Sequence, residues 1–208
     1  MRYIGIIDYH MGNLHSVYKA VEKVEGKAII ISCPEDLVKV SALILPGVGS
    51  FDLAMQKLHQ LNFVQPLKEW MIEGLPLLGI CLGLQVLFEK SEEGKQKGLN
   101  ILQGEVIKIH SQSVPNIPHM GWNKLKINQN NSFLYSSNFT DKWVYFVHSY
   151  HVRPKMVDLE SSFIHYGKLK IVSSIHYKNV VGMQFHPEKS GKTGLAILKQ
   201  FLIQYNCL

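Results

Sequence analysis

Short, mostly aliphatic runs alternate with segments of helical periodicity through the first 80 residues. These runs are Arg2 to Asp8, Ala28 to Ile31, Ala42 to Leu45 and Leu75 to Ile80. Strands that are apolar along their whole length are buried on both faces, as in a parallel sheet that is covered by helices. The pattern predicts an α/β fold with an open, mostly parallel sheet flanked by helices.

Apolar residues recur at helical spacing between these runs and again near the end of the chain. A first helix is expected from Asn13, a good N-cap residue, until Gly26. Further helical segments are expected at Pro34 to Val40, Phe51 to His59, Phe63 to Glu73 and Gly194 to Tyr205. The last of these places four apolar residues on one face, namely Leu195, Leu198, Phe201 and Leu202.

After Gly98 the chain changes character, because short strand candidates follow one another with few helices between them. They are Ile101 to Ile109, Lys124 to Ile127, Trp143 to Val147, Phe163 to Tyr166, Lys170 to Ile175 and Val180 to Phe185. We expect an antiparallel, α+β-like extension of the same domain, so that residues 1 to 208 form one domain.

Charge and hydropathy exclude two classes of partner. The net charge of +6 comes from residues 105 to 208, which hold 12 Lys+Arg and 5 Asp+Glu and so carry +7, against −1 in residues 1 to 104. These lysines are scattered and no aromatic-rich RNA motif interleaves them, so no nucleic-acid partner is predicted, while an acidic protein partner stays an alternative. The apolar stretch Gly74 to Phe88 is too short for a bilayer, so no membrane association is predicted.

The cysteines and the N-terminus indicate a cytoplasmic protein. Three cysteines without a CxxC pair predict neither a disulfide framework nor a zinc–thiolate site, and no signal peptide is recognisable. His148 and His151 face opposite sides of a strand without an accompanying carboxylate or thiol cluster. We therefore expect no metal and no cofactor.

The segment Gly79 to Gly83 is the thiol counterpart of the G-x-S-x-G nucleophile elbow. It lies where a buried strand turns into a helix, and its two glycines leave room for a sharp turn at Cys81. The N–H groups at the start of that helix would favour a thiolate. A small buried core cysteine is the alternative interpretation.

A cysteine nucleophile needs a base and a group that orients the base, and His186-Pro187-Glu188 offers both. Pro187 disfavours a helical conformation at His186, and residues two apart on an extended segment project to the same side. Glu188 is therefore predicted to hold the imidazole of His186.

A third strand end carries Pro46-Gly47-Val48-Gly49. Its glycines allow the backbone around Val48 and Gly49 to present N–H groups to a developing oxyanion, with the N–H of Leu82 as a second donor. An ordinary turn is the alternative, but a nucleophile, a base and donors at three strand ends form a constellation.

These three segments resemble the signature segments of the class I (triad) glutamine amidotransferases. The matching stretches are residues 46–49, 79–85 and 184–188. Within that family, residues 8–14, 118–123 and 146–150 are similar to the branch that supplies ammonia to a cyclase making imidazole glycerol phosphate. The similarity extends from Ile4 to the last helix.

The resemblance implies a glutaminase in which Cys81 attacks the carboxamide of L-glutamine, His186 protonates the departing ammonia and Glu188 orients His186. It also implies that Gln85 and Glu93 bind the glutamine. The backbone around His148, Ser149 and Tyr150 would hold its amino-acid end.

The resemblance further implies a heterodimer with a cyclase of histidine biosynthesis, which is a (β/α)8 barrel. The barrel uses the ammonia to form imidazole glycerol phosphate and an aminoimidazole carboxamide ribotide (AICAR). Asn13, Trp122 and Lys189 are expected near that interface; an N-cap, a core tryptophan and a solvated lysine are the alternative interpretations. His10 and His15 depart from the usual family residues, glycine and arginine, in a loop that lies near the partner.

Two other functions remain open. The same chemistry could serve another acceptor, as in anthranilate synthase or in enzymes of surface-sugar amidation, although residues 120–123 favour the cyclase. A non-catalytic binding module on the same fold would require a broken triad, whereas Cys81, His186 and Glu188 are all present.

Overall fold

A computed structural model of the chain describes residues 3–110, 112, 114–128 and 139–208. Five helices are present in this part, and their bounds are α1 Leu14–Lys23, α2 Phe51–Gln60, α3 Val64–Ile72, α4 Leu82–Gln85 and α5 Gly191–Gln204. The strands of the first half are β1 Ile4–Ile7, β2 Ala28–Ile31, β3 Ala42–Leu45, β4 Leu77–Ile80 and β5 Lys90–Ser91. Those of the second half are β6 Gly104–Lys108, β7 His119–Lys124, β8 Lys126–Ile127, β9 Trp143–His148, β10 Tyr150–Pro154, β11 Glu160–Tyr166, β12 Leu169–Tyr177 and β13 Val180–Met183.

The largest sheet has eight strands in the order β2-β1-β3-β4-β13-β12-β11-β8. The first five strands are parallel to one another, whereas the pairs β13–β12, β12–β11 and β11–β8 are antiparallel. The fold class predicted from the aliphatic runs is thus confirmed, including the antiparallel extension in the second half. The parallel part has the strand order of flavodoxin-like folds.

Helices cover both faces of the parallel strands. Helices α1 and α5 bury apolar residues such as Val21 and Phe201 in one core cluster, and α2 and α3 bury residues such as Phe51 and Trp70 in the other. This two-layer covering is the reason that β1, β3, β4 and β13 are buried along their whole length.

Two small sheets lie outside the main one. Strands β10, β6 and β5 form a three-stranded sheet, and β7 pairs antiparallel with β9. The sequence did not indicate β7 or β10. Strand β7 contains Gly121 at φ +136° and follows a proline, so its local sequence carries a turn signal rather than a strand signal.

Several predicted boundaries differ from the structure. Pro34–Lys39 forms a 3₁₀ helix rather than an α-helix, and it buries only Leu37. Strand β6 begins at Gly104 instead of Ile101, and β13 ends at Met183 instead of Phe185. Helix α5 begins at Gly191, three residues before the predicted start. Arg2, the predicted first residue of β1, lies outside the described residues.

Candidate active site

Three strand ends meet at the carboxyl edge of the large sheet. Strand β4 lies between β3 and β13, with Gly79 paired to Leu45 on one side and Ile80 paired to Met183 on the other. The residues that follow these strands therefore share one edge, which is where open α/β sheets bind ligands. Cys81 follows β4, and the Pro46–Gly49 segment and His186 follow its two neighbours.

Cys81 occupies a strained turn between β4 and α4. Its backbone has φ +54° and ψ −108°, a conformation that few residues other than glycine adopt. The turn is tight because a Cβ on Gly79 would lie 2.8 Å from the carbonyl oxygen of Gly83, so the two glycines pack directly against each other. Cys81 is 6% exposed; it belongs to a buried core cluster and also lines a cavity. Helix α4 is a single turn long.

His186 and Glu188 form a buried pair. Nδ1 of His186 donates to Oε1 of Glu188 over 2.8 Å, and both side chains are 3% exposed. Burial by itself lowers the pKa of His186, but the hydrogen bonds and negative charge supplied by Cys81 and Glu188 outweigh it and raise the pKa to about 10. The imidazolium form is thus favoured at neutral pH, opposite a cysteine.

Backbone contacts fix the position of that histidine. The N–H of His186 donates to the carbonyl of Tyr145 over 3.0 Å, and the hydroxyl of Ser190 donates to the carbonyl of His186 over 2.6 Å. Nε2 of His186 is buried, and Cys81 as well as Glu188 interacts with this ring. The cavity beside Cys81 is lined by other residues and not by His186.

The two expected oxyanion donors are engaged elsewhere in this conformation. The N–H of Val48 donates to the carbonyl of Met11 over 2.9 Å, and the N–H of Leu82 donates to the carbonyl of Gly47 over 3.4 Å. The expectation that both N–H groups face the nucleophile is therefore not met here. Gly49 has φ +110° and lines the cavity beside Cys81, so the segment lies where it was expected but its Val48 peptide is turned away.

A cavity of about 280 Å³ opens beside Cys81. Its size is at the lower limit for small-molecule pockets and suits a ligand as small as an amino acid. Every residue predicted to bind substrate lines it: Gln85, Glu93, His148, Ser149 and Tyr150. Val48, Gly49 and Leu82 line it as well, together with Pro118 and Val147. The structure thus brings together residues from separate parts of the chain.

Two of the lining side chains also have structural partners. Oε2 of Glu93 accepts from the N–H of Phe51 over 2.7 Å and so caps helix α2, whose own N-cap residue Ser50 makes no such bond. Nε2 of Gln85 donates to the carbonyl of Tyr150 over 2.9 Å. Both contacts hold the side chains at the rim of the cavity.

Sequence reasoning missed a buried pair of histidines behind the cavity. Nδ1 of His148 lies 2.9 Å from the carbonyl of Tyr150, which can only accept, so this nitrogen carries the proton. Nε2 of His148 is then the acceptor for Nδ1 of His119, 3.0 Å away. Burial lowers the pKa of His119 to about 4 and that of His148 to about 3, the latter also because His119 is near. The pair is thus neutral at pH 7.

We expect this pair to make the protein less stable in mild acid. The folded-state pKa values lie below the ordinary 6.5, so the unfolded chain binds more protons below pH 6.5, and stability that is present above pH 6.5 is lost as the pH falls toward 4. Between pH 7 and pH 5 these two histidines should together lower the free energy of unfolding in urea by about 3 kcal/mol, and His151, whose pKa burial also lowers to about 4, adds to the decline. His119→Phe keeps the ring stack on Tyr166 and Phe146. Its free energy of unfolding should fall by about 2 kcal/mol less than that of the wild type over the same pH range. His59 is exposed, so His59→Gln serves as the control, and its free energy of unfolding should fall as much as that of the wild type. An equally steep decline in His119→Phe would contradict the assignment.

The residues expected at a partner interface are all exposed. Asn13 also caps α1, since its side chain accepts from the N–H of Ser16. Trp122 is 52% exposed, so the alternative of a core tryptophan is wrong. Lys189 is exposed next to the buried Glu188. His10 and His15 are exposed on either side of Asn13.

Two further residues of the site were missed. The hydroxyl of Tyr9 donates to the carbonyl of Pro46 over 2.7 Å, and burial raises the pKa of Tyr9. Gln184 is fully buried between Gln85 and Cys81. Gln184 belongs to a segment that the sequence singles out, but only the folded chain shows which way its amide faces.

The described residues suit covalent acyl transfer. A cysteine at a strained turn, a buried histidine held by a carboxylate, and a small cavity beside the cysteine are the parts that such chemistry needs. Within residues 3–110, 112, 114–128 and 139–208, no group of three or more metal-ligating side chains exists. No helix in the same part of the chain is long and apolar enough to span a membrane.

Comparison with known proteins gives one family across the chain. The family model described as glutamine amidotransferase class-I matches residues 5–205. The chain is 49% identical to the imidazole glycerol phosphate synthase subunit hisH of Cyanidium caldarium, over 99% of this chain and 100% of that protein. It is 46% identical to the subunit of the same name from Nostoc sp., over 98% and 97% of the two chains.

Solved structures show the same fold at low identity. A structure described as a glutamine amidotransferase superposes with a TM-score of 0.75 at 17% identity, covering 98% of each chain. A glutamine amidotransferase from Thermotoga maritima superposes with a TM-score of 0.62, also at 17% identity, covering 99% of this chain and 82% of that one. These two likenesses concern the fold alone.

Proposed function

Because this chain belongs to the class-I glutamine amidotransferases, we propose that it hydrolyses L-glutamine with Cys81, His186 and Glu188 and delivers the ammonia to a cyclase subunit. The chain is a glutaminase of the imidazole glycerol phosphate synthase type, which serves histidine biosynthesis. The observation that carries the proposed site is the buried His186–Glu188 pair at the same sheet edge as the strained Cys81.

In the first half of the reaction, the sulfur of Cys81 attacks the carboxamide carbon of bound glutamine. The carbon–nitrogen bond breaks, the proton on Nε2 of His186 moves to the leaving nitrogen, and ammonia departs from a glutamyl thioester. The raised pKa of His186 supports this role, since the proton that the leaving group needs is already on the ring.

In the second half, water hydrolyses the thioester. Nε2 of His186 takes one proton from the water as the oxygen attacks the thioester carbon, and the carbon–sulfur bond breaks to release glutamate and the thiolate. Glu188 holds the ring through Nδ1 in both halves, which leaves Nε2 as the proton-carrying atom.

The oxyanion donors have to turn before they act. The N–H of Val48 is bonded to the Met11 carbonyl, and the carbonyl of the same peptide, that of Gly47, accepts from the N–H of Leu82. The Gly47–Val48 peptide therefore rotates when an oxyanion forms, which frees both donors, and Gly47 permits the rotation. The isolated chain is therefore a slow glutaminase, and we infer that contact with the cyclase favours the rotated peptide.

The cyclase, a (β/α)8 barrel, is proposed to cover the outer face of the β7–β9 sheet. The cross-strand pairs Met120–Val147, Trp122–Tyr145 and Lys124–Trp143 share this face. Met120, Trp122 and Trp143 are each more than half exposed, so a contiguous apolar surface remains uncovered. Val147 also lines the cavity, so this surface reaches the site where ammonia forms. Asn13 and Lys189 are proposed to contact the same partner.

The glutamine-binding residues are assigned from the cavity. Gln85 and Glu93 are proposed to bind the glutamine, and the backbone of residues 148–150 is proposed to hold its amino-acid end, because all of them line the cavity beside Cys81. The barrel would combine the ammonia with a phosphorylated ribulosyl aminoimidazole carboxamide intermediate to give imidazole glycerol phosphate and AICAR. A cytoplasmic location is proposed because Cys33, Cys81 and Cys207 are thiols rather than members of disulfides.

A glutamine analogue with a reactive diazo ketone tests the proposed site. With the cyclase present, it should modify one cysteine per chain, Cys81, and leave Cys33 and Cys207 unmodified, as read by peptide mass spectrometry. Added L-glutamine should slow the modification. Without the cyclase the rate should fall by at least about tenfold, because the oxyanion donors are turned away. Failure to modify Cys81 even in the complex would refute the proposal.

A further inference from the structure

A chain of amide hydrogen bonds links a backbone carbonyl to the sulfur of Cys81. Nε2 of Gln85 donates to the carbonyl of Tyr150 over 2.9 Å and to Oε1 of Gln184 over 3.1 Å. Nε2 of Gln184 then points at Sγ of Cys81, 3.6 Å away. Gln184 is fully buried, so water does not compete for its amide, whereas Gln85 is 5% exposed and lines the cavity.

The direction of every bond in this chain follows from its first member. A backbone carbonyl can only accept, so the atom of Gln85 beside Tyr150 has to be its NH₂ group. That NH₂ group also faces Gln184, which therefore presents its carbonyl oxygen to Gln85. The remaining end of the Gln184 amide is its NH₂ group, and this donor is the end that faces the sulfur.

We propose that Gln184 is a positioning residue that holds a hydrogen-bond donor against the sulfur of Cys81, with its direction set through Gln85 by the Tyr150 carbonyl. This inference rests on the proposed function, in which the sulfur is the nucleophile. A donor stabilises the thiolate more than the thiol, because hydrogen bonds to an ionised acceptor are stronger. The opposite amide orientation would place a carbonyl oxygen there and repel the thiolate.

The other contacts of the sulfur show why this donor matters. Sγ of Cys81 lies 3.9 Å from the carbonyl of Val147, which accepts from the thiol and offers the thiolate nothing. Among the described residues, Gln184 supplies a neutral donor that stays in place whatever the charge on His186. This donor therefore acts on the thiolate in addition to the imidazolium of His186, both before the attack on glutamine and after the thioester is hydrolysed.

The experiment measures the pH dependence of Cys81 alkylation by iodoacetamide, quantified on the Cys81 peptide by mass spectrometry so that Cys33 and Cys207 do not contribute. Gln184→Met removes the donor at similar side-chain length. The midpoint of the alkylation profile should rise by about one pH unit relative to the wild type. Ser173→Ala removes a buried hydroxyl that bonds to Ser162, next to Gln184 in the sheet, and serves as the matched control; its midpoint should stay unchanged.

The hydrogen bond from Gln85 to Gln184 leads to a second prediction. Gln85→Leu frees the Gln184 amide to turn over, so the midpoint should rise part of the way. In the double variant it should equal that of Gln184→Met alone, because Gln85 acts on the sulfur only through Gln184. Should Gln184→Met fail to fold, Gln184→Glu replaces it and, by placing a carboxylate against the sulfur, should raise the midpoint at least as far.

An unchanged midpoint in the folded Gln184 variant would overturn the inference, and so would additive shifts in the double variant. Alkylation needs no glutamine turnover, so the midpoint can be measured whether or not the proposed function is correct. A shifted midpoint without glutaminase activity in the wild-type complex would count against the proposed function alone. Glutaminase activity with an unshifted midpoint would count against this inference alone.

Discussion

Cys81→Ala should lower glutamine-dependent synthesis by the complex at least about 1,000-fold and leave synthesis from ammonium salts within about twofold of the wild type. The large loss is expected because the thiol forms the covalent intermediate, and no other group in the cavity can replace it. Ammonium salts bypass the glutaminase and supply the cyclase directly. Formation of imidazole glycerol phosphate from each nitrogen source, with both subunits present, measures the two rates.

Cys33→Ala is the matched control for this experiment. Cys33 is a partly exposed thiol just before the 3₁₀ helix and does not line the cavity, so its loss should leave both activities unchanged. Loss of both activities in Cys81→Ala, in a complex that still assembles, would contradict the assigned role. Glutamine-dependent synthesis that survives the substitution would contradict it equally.

Gly83→Ala should destabilise the whole protein, with an expected loss of more than about 4 kcal/mol in the free energy of unfolding. A Cβ at Gly83 would lie 1.8 Å from the carbonyl oxygen of Leu45 and 2.8 Å from its carbonyl carbon. Leu45 belongs to β3, which is held between β1 and β4, so neither backbone can move aside cheaply. Urea unfolding followed by circular dichroism measures the loss.

Gly12→Ala is a suitable comparison for Gly83→Ala, since its Cβ would meet Pro46 at an ordinary contact distance of 3.5 Å. The stability of Gly12→Ala should stay within about 0.5 kcal/mol of the wild type. Near-wild-type stability of Gly83→Ala would show that α4 does not approach β3 as closely as the structure has it. Such a result would also weaken the explanation of the turn at Cys81.

The parallel sheet and the turn that holds Cys81, the candidate nucleophile, could be predicted from the sequence because their signals are local. Each buried strand is a continuous aliphatic run, and the paired glycines around Cys81 mark a turn that only small residues permit. His186 and Glu188 are two positions apart, so their pairing needed only an extended backbone. These features depend on residues that are neighbours in the sequence.

The parts that could not be predicted depend on contacts between distant residues. His119 meets His148 only because β7 pairs with β9, and β7 has the sequence of a turn. The donor at the Cys81 sulfur depends on a carbonyl in β10. The orientation of the Val48 peptide is a third case, because glycines on both sides allow the N–H to face either way.

The position of β13 in the sheet has a consequence for how the protein is made. Strand β13 is inserted between β4 and β12, so the parallel sheet stays incomplete until residue 183 has been synthesised. Cys81 and Gln184, which meet in the folded site, are 103 positions apart along the chain. Closing so long a loop has a high entropic cost and slows folding. The thiol of Cys81 is therefore translated 103 positions before Gln184, and it meets Gln184 and His186 only after both of those residues have been synthesised.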